Sequence, residues 1–192
     1  MDSKAAILTA ATELIRQRGD RLDSITVREI CSRAHVGLGL VNYHFGSKEQ
    51  LLALCIEQLI HGIVETFQRM EQTESPLAPF DRLEQLGELT LTFLMEHEAI
   101  ARVSILGDLQ APKPDDNTHR TYRAYLPLVA TCRPDWTEWQ TRQHTAALIT
   151  LMQQAFLRRA VLRDTLGVDL QQEDQRRAFH HQILCQILEV QP

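Results

Sequence analysis

Apolar residues recur at spacings of three and four along most of the chain, a periodicity typical of amphipathic helices. Near the N-terminus, Ile7, Ala11, Leu14 and Ile15 fall on one helical face. Runs of alternating polar and apolar residues, which are typical of half-buried strands, are absent from the sequence. The sequence therefore predicts an all-α fold with about nine helices.

Capping and turn residues give the boundaries of these helices. Thr26 and Glu29 match a T-x-x-E capping box at the start of a second helix, and Ser47 and Gln50 match a similar box at the start of a fourth. Gly19 and Gly167 are typical of helix ends, and the longest pattern has Asp135 and Glu138 as a candidate cap pair. Helices are predicted over 3–18, 26–34, 38–44, 47–72, 80–96, 98–109, 118–131, 135–163 and 171–189.

Charge is distributed unevenly between the two parts of the chain. The net charge is −5, but residues 1–50 hold seven Lys or Arg against six acids, a net of +1. A mildly basic N-terminal part suits a protein that meets phosphates through a few placed contacts. The sequence lacks both an apolar run long enough for a membrane helix and the apolar block of a signal peptide, so we expect a cytoplasmic protein that has no membrane partner.

Residues 26–51 carry the most informative pattern, TVREICSRAHVGLGLVNYHFGSKEQL. Two short helices joined by a tight turn cannot bury a core alone and need a third helix to brace them. In such a helix-turn-helix, the second helix projects from the surface and fits the DNA major groove, which is about 12 Å wide. The pattern therefore predicts binding to double-stranded DNA.

This segment resembles the DNA-binding domain of the tetracycline-repressor (TetR) family. It departs from the family pattern at His35, where a glycine is usual and where we expect a left-handed backbone, and at Asn42 and Tyr43, where the usual tyrosine is displaced by one position. Eleven positions match the pattern in register: Thr26, Ile30, Ala34, Val36, Gly39, His44, Phe45, Ser47, Lys48, Glu49 and Leu51.

The resemblance implies roles for individual residues in DNA binding. Thr26 and Lys48 stand at helix N-termini and would contact phosphates. Arg28 would reach a base or a phosphate, although a solvated surface charge is the competing interpretation, and His44 could be a packed histidine instead of a phosphate donor. The predicted DNA-binding residues are Thr26, Arg28, Gly37, Leu38, Leu40, Asn42, Tyr43, His44 and Lys48.

The resemblance also implies two domains: residues 1–50 for DNA binding, and residues 51–192 for effector binding and dimerisation. In the family, the last two long helices pair with their copies in a four-helix bundle, so we expect a homodimer on a palindromic operator. The candidate dimer residues are Ala147, Leu151, Ala155, Phe179, Ile183 and Ile187. The candidate residues for a small, mainly apolar effector are His61, Phe67, Phe93, Leu109, Tyr125 and Trp139, for which ordinary core packing is the competing interpretation.

The predicted function is a ligand-responsive transcriptional regulator, a repressor that its effector releases from DNA. The alternative is a redox- or metal-sensing regulator that uses Cys55, His61 or Cys132 in place of an organic effector. No nucleophile, base and orienting group can be recognised as a motif, so an enzyme is not expected. No cofactor or metal is expected either, since the four cysteines form no CxxC pair and His180 and His181 point to different helical faces.

Overall fold

A computed structural model describes residues 2–18, 21–72 and 77–190, without the side chains of residues 62–72. Within these ranges the chain forms ten α-helices, one 3-10 helix and no strand, so the predicted all-α fold is confirmed and the expected number of helices is close. The 3-10 helix spans Leu22–Ser24. The α-helices are α1 (Ser3–Arg18), α2 (Val27–Ala34), α3 (Gly39–Phe45), α4 (Lys48–Gln72), α5 (Pro79–Glu96), α6 (Glu98–Gln110), α7 (Asn117–Cys132), α8 (Glu138–Leu157), α9 (Arg159–Leu166) and α10 (Glu173–Ile187).

The chain divides into two compact units. Unit 1 comprises Met1–Ile63 and His97–Ala111, and unit 2 comprises Val64–Glu96 and Pro112–Pro192. This division falls within α4, whereas the functional boundary expected from the sequence lies after residue 50. None of the helices within the described ranges is long and apolar enough to cross a membrane.

Unit 1 is built on the packing of α1 against α2 and α3. The helical face expected near the N-terminus is buried, and it lies with Ile30 and Val41 in an apolar core. An ion pair between Arg18 and Glu29, 2.6 Å apart, closes the α1–α2 contact at its edge. The core of this unit therefore fixes where α3 begins and which of its faces remains outside.

Unit 2 packs α5, α7, α8 and α10 against one another. Its largest fully buried side chains include Tyr125, Phe156 and Leu148. The Tyr125 hydroxyl donates a hydrogen bond of 2.6 Å to Oγ1 of Thr90, which joins α7 to α5. Helix α9 contributes no buried residue.

Two details of the predicted helix over 135–163 are wrong. Thr137, not Asp135, is the N-cap of α8, and it forms a capping box with Gln140. The reason is that the Asp135 carboxylate is held by the Arg133 guanidinium at 2.7 and 2.9 Å, and this pairing lowers the pKa of Asp135. The helix is also divided at Arg158, although hydrogen bonds of 3.0 Å on both sides of that residue continue the helical pattern.

Candidate nucleic-acid interface

The turn between α2 and α3 directs the candidate recognition helix. His35 adopts the left-handed conformation expected from the sequence, with φ 54° and ψ 45°. The backbone N–H of Val36 donates to the carbonyl of Cys31 at 3.0 Å, and the Cys31 thiol donates to the carbonyl of Gly37 at 3.7 Å. These bonds end α2 sharply and start α3 after a turn of four residues, as a helix-turn-helix requires.

Helix α3 presents one face inward and the other to solvent. Val41 is completely buried, and Leu40 is half-buried. Leu38 and Asn42 are exposed, and 81% of Tyr43 is accessible. The outward face therefore combines an apolar group, an amide and a phenol, which can contact thymine methyls, base edges and phosphates respectively.

His44 lies at the edge of this face and is half-buried. Its Nε2 atom is 2.9 Å from the Ser3 hydroxyl, so one ring nitrogen links α3 to α1. Its ring also contacts that of Tyr43 edge to face, with centroids 5.0 Å apart. His44 thus positions α3, and only its other ring nitrogen can serve a partner. No motif in the sequence indicated the contribution of Ser3.

The starts of α2 and α4 lie beside α3 in the chain and carry the predicted phosphate contacts. Thr26 Oγ1 accepts a hydrogen bond of 3.1 Å from the Glu29 backbone N–H, as the capping box predicts. Ser47 Oγ accepts one of 3.1 Å from the N–H of Gln50. The free backbone N–H groups of a helix's first turn point outward and attract anions.

The cations of unit 1 differ in how they are engaged. Arg18 is paired with Glu29, and Arg33 donates to Gln17 at 2.8 Å, so both stabilise the α1–α2 contact. Arg28 is exposed on α2. Lys48 has its Nζ atom 3.8 Å from Glu49 at the start of α4, where a lysine opposes its own helix dipole. Packing within unit 1 therefore does not explain the positions of Arg28 and Lys48, the two cations among the predicted DNA-binding residues.

Gly37 and Gly39 flank the start of α3. A Cβ atom at either position would meet no described atom within 4 Å, so packing inside unit 1 does not demand glycine there. The space beside this backbone is open, as a close approach of DNA would need.

The N-terminal part of the chain, which forms this helix-turn-helix, is similar to a known protein family. Residues 7–55, which run from α1 into α4, match the family model described as "Bacterial regulatory proteins, tetR family". Over these residues the chain is similar to the TetR family.

Curated relatives match the chain over about half of its length. An HTH-type transcriptional repressor of Mycobacterium tuberculosis is 38% identical over 93 residues, which cover 48% of this chain and 46% of the relative. An HTH-type transcriptional regulator of Mycobacterium bovis matches to the same extent. The chain thus aligns with less than half the length of these relatives.

Solved structures resemble the chain along almost its whole length. A TetR transcription regulator from Haloarcula marismortui has a TM-score of 0.65 at 18% identity, covering 98% of this chain and 97% of that one. A TetR-like transcriptional regulator from a Rhodococcus species has a TM-score of 0.57 at 17% identity, with the same coverage. At these identities the likeness is one of fold.

The candidate dimer residues lie on α8 and α10 with different exposures. Ala147 and Leu151 are exposed on α8, whereas Phe179 and Ile187 are half-buried on α10. Ala155 and Ile183 are buried within the protomer.

The candidate effector residues are distributed over both units. His61 and Leu109 are exposed in unit 1. In unit 2, Tyr125 lies in the core, Phe93 is half-buried, and Trp139 is 73% exposed in the first turn of α8. The side chain of Phe67 lies outside the described residues.

An open cavity of about 520 Å³ in unit 2 involves other residues than the candidates. It lies along α7 and α8, where the rings of His119 and Tyr122 stack with centroids 5.6 Å apart beside Ile149.

Proposed function

We propose that the chain is a ligand-responsive transcriptional regulator of the cytoplasm that acts as a repressor. It binds a palindromic operator as a homodimer, with half-sites about 34–36 Å apart or a multiple of that distance. A small, mainly apolar effector releases it from DNA. The observation that carries this proposal is the outward face of α3, which projects Leu38, Asn42 and Tyr43 into solvent beside two helix N-termini.

DNA binding is assigned to residues 1–50. Thr26, Lys48 and Tyr43 would hold phosphates, and Arg28 and Asn42 would read bases. Gly37 and Gly39 would let the backbone come close, while Leu38 and Leu40 would touch thymine methyls. His44 would orient α3 through Ser3 and donate its remaining N–H to the DNA backbone.

Residues 51–192 are assigned to dimerisation and effector binding. Beyond the charged first five residues of α8 and α10, the exposed residues are uncharged, which supports pairing. They include Ala147, Thr150 and Leu151 on one helix, and Ala178 and Gln182 on the other. Charged residues are depleted at the centre of protein interfaces. The effector site proposed around Phe93, Tyr125 and Trp139 rests on the family resemblance.

The alternative of a sensor built on Cys55, His61 and Cys132 has less support. Burial raises the pKa of the Cys55 thiol, which donates to the carbonyl of Leu8 at 3.8 Å. Burial also raises the pKa of Cys132 to about 11. Because a thiolate is the form that reacts and binds metals, both thiols are poorly suited to sensing.

The direct test is a mobility-shift titration with DNA from upstream of the protein's own gene. Binding is expected at low salt, where phosphate contacts are strongest. Lys48→Ala should weaken binding to all sequences and reduce the slope of log affinity against log salt by about 1, whereas Arg28→Ala should cost ~1–3 kcal/mol on the operator alone.

The matched control is Arg163→Ala, which removes an exposed cation of unit 2 and should leave both quantities unchanged. Failure of the wild-type protein to bind any such DNA at low salt would overturn the proposal.

A further inference from the structure

Three side chains of unit 2 form a relay between α5 and α10. Nδ1 of His181 is 2.7 Å from Oε1 of Glu84, and its Nε2 is 3.5 Å from Sγ of Cys185. The two α10 residues are four positions apart and so share a helical face. The ring of Phe80 packs edge to face on His181, with centroids 5.8 Å apart, and fixes its plane.

This order of groups is that of an activated nucleophile. When Nδ1–H of His181 donates its hydrogen bond to Glu84, Nε2 carries a lone pair and faces the thiol as an acceptor. A base in hydrogen-bond reach of a thiol, itself oriented by a third group, is the signature of an activated cysteine. His181 lies between the other two groups and is within hydrogen-bond distance of both. No group of three His, Cys, Asp or Glu in the described ranges is arranged to hold a metal ion.

The other three cysteines have the opposite surroundings. Cys31 and Cys55 donate to the backbone carbonyls of Gly37 and Leu8, which requires the protonated thiol. Burial raises the pKa of both, and raises that of Cys132 to about 11. Cys185 thus differs from them in having a histidine base as its partner.

We propose that Cys185 is a site of covalent modification by small peroxides, activated by His181 and positioned by Glu84. Only 6% of Cys185 is exposed, which favours a small oxidant over a bulky electrophile. His181, 40% exposed, offers the path by which protons reach solvent.

The reaction is a two-electron oxidation. The proton on Sγ moves to Nε2 of His181, and the thiolate attacks one oxygen of the peroxide. The S–O bond forms as the O–O bond breaks, and the departing oxygen takes the proton from His181. Cysteine is oxidised to a sulfenic acid, and the peroxide is reduced to water or an alcohol.

Limited labelling of the full-length protein tests the activation. Hydrogen peroxide at pH 7, with a sulfenic-acid trap, is followed by peptide mass spectrometry, which gives separate labelling rates for Cys185 and Cys132. Cys185 should react at least about tenfold faster, because a positioned base contributes ~10²–10⁴-fold. The labelled Cys185 should carry one oxygen atom from the peroxide.

Variants distinguish activation of the Cys185 thiol by His181 from a general change in how accessible the thiols are. His181→Ala should slow labelling of Cys185 by about tenfold or more, and Glu84→Gln should slow it less. In both, the rate at Cys132 should stay unchanged, as it should in the control His119→Ala, which alters an exposed histidine of α7.

A variant whose fold is destabilised would instead show faster labelling of both Cys185 and Cys132. The proposal is overturned if Cys185 reacts no faster than Cys132, or if His181→Ala leaves its rate unchanged or raises it.

Discussion

The Arg18–Glu29 pair of unit 1 and the Arg176–Glu88 pair of unit 2 are chemically alike but differ in their surroundings. The first joins α1 to α2 at the surface, with side chains 37% and 30% exposed. The second lies between α10 and α5, with side chains 8% and 16% exposed. The charged pair of unit 1 is accessible to solvent and to a partner. The pair of unit 2 lies between two helices, together with other titratable groups.

The buried pair is part of a larger polar cluster. Arg176 also donates to Oγ1 of Thr92 at 3.0 Å and to the carbonyl of Leu170 at 3.2 Å. Oε2 of Glu88 and both ring nitrogens of His180 are buried without a hydrogen-bond partner in the described part of the chain. Buried ionic groups are costly unless they are paired, so single changes here should disturb stability far more than similar changes in unit 1.

The largest expected effect is the loss of Arg176. Arg176→Met leaves the buried Glu88 carboxylate with only the exposed Arg177 guanidinium, whose Nε is 3.8 Å from Oε1, and should reduce the free energy of unfolding by about 3–5 kcal/mol. Arg18→Met should cost about 1 kcal/mol or less, because its pair is exposed to water and screened. Urea unfolding measures both, and equal losses would refute the contrast between the two units. Adding Glu88→Gln to Arg176→Met should recover part of the loss by removing the stranded charge.

A smaller effect should follow from acid. Burial, and then the charge of His181, lower the pKa of His180 from 6.5 to about 4. The unfolded chain therefore binds a proton at a higher pH than the folded one does. This component of stability is complete above pH 6.5 and disappears as the pH falls to about 4, a difference of roughly 3 kcal/mol in total.

Urea unfolding at several pH values measures that slope. His180→Leu should remove this component, whereas His35→Asn, at an exposed position of unit 1, should keep it. An unchanged slope in His180→Leu would show that other groups cause the acid sensitivity.

The smallest effect concerns glycine. A Cβ at Gly87 on α5 would lie 1.9 Å from Nε2 of the His180 ring, so Gly87→Ala should cost about 1–3 kcal/mol by overpacking. Gly107 on α6 in unit 1 has no described atom within 4 Å of such a Cβ, and Gly107→Ala should instead add about 0.5–1 kcal/mol through helix propensity. Thermal unfolding of the two variants should shift in opposite directions.

Most helix boundaries could be predicted because their signals are local. Thr26 and Ser47 accept the backbone hydrogen bonds that their capping boxes predict, and Gly167 ends α9 in a left-handed conformation. The exposure of one face of α3 could also be predicted from local signals, because the turn at His35 comes just before this helix and the buried Val41 lies within it.

The polar cluster of unit 2 could not be predicted in this way. Glu84 and His181 are 97 positions apart, and Arg176 and Glu88 are 88 apart. Periodicity separated His180 from His181 by face but could not show that α5 covers them both. Even Asp135 was misjudged, because a competing arginine two residues away holds its carboxylate.

The left-handed histidine between α2 and α3 has a practical consequence. A side chain at φ 54° stores conformational energy on the order of 1 kcal/mol, which a glycine would release. The turn is therefore less stable with histidine than its left-handed backbone would allow with glycine. Protein engineers who need a sturdier recognition module could begin there, outside the apolar interior and away from the amide and phenol of α3.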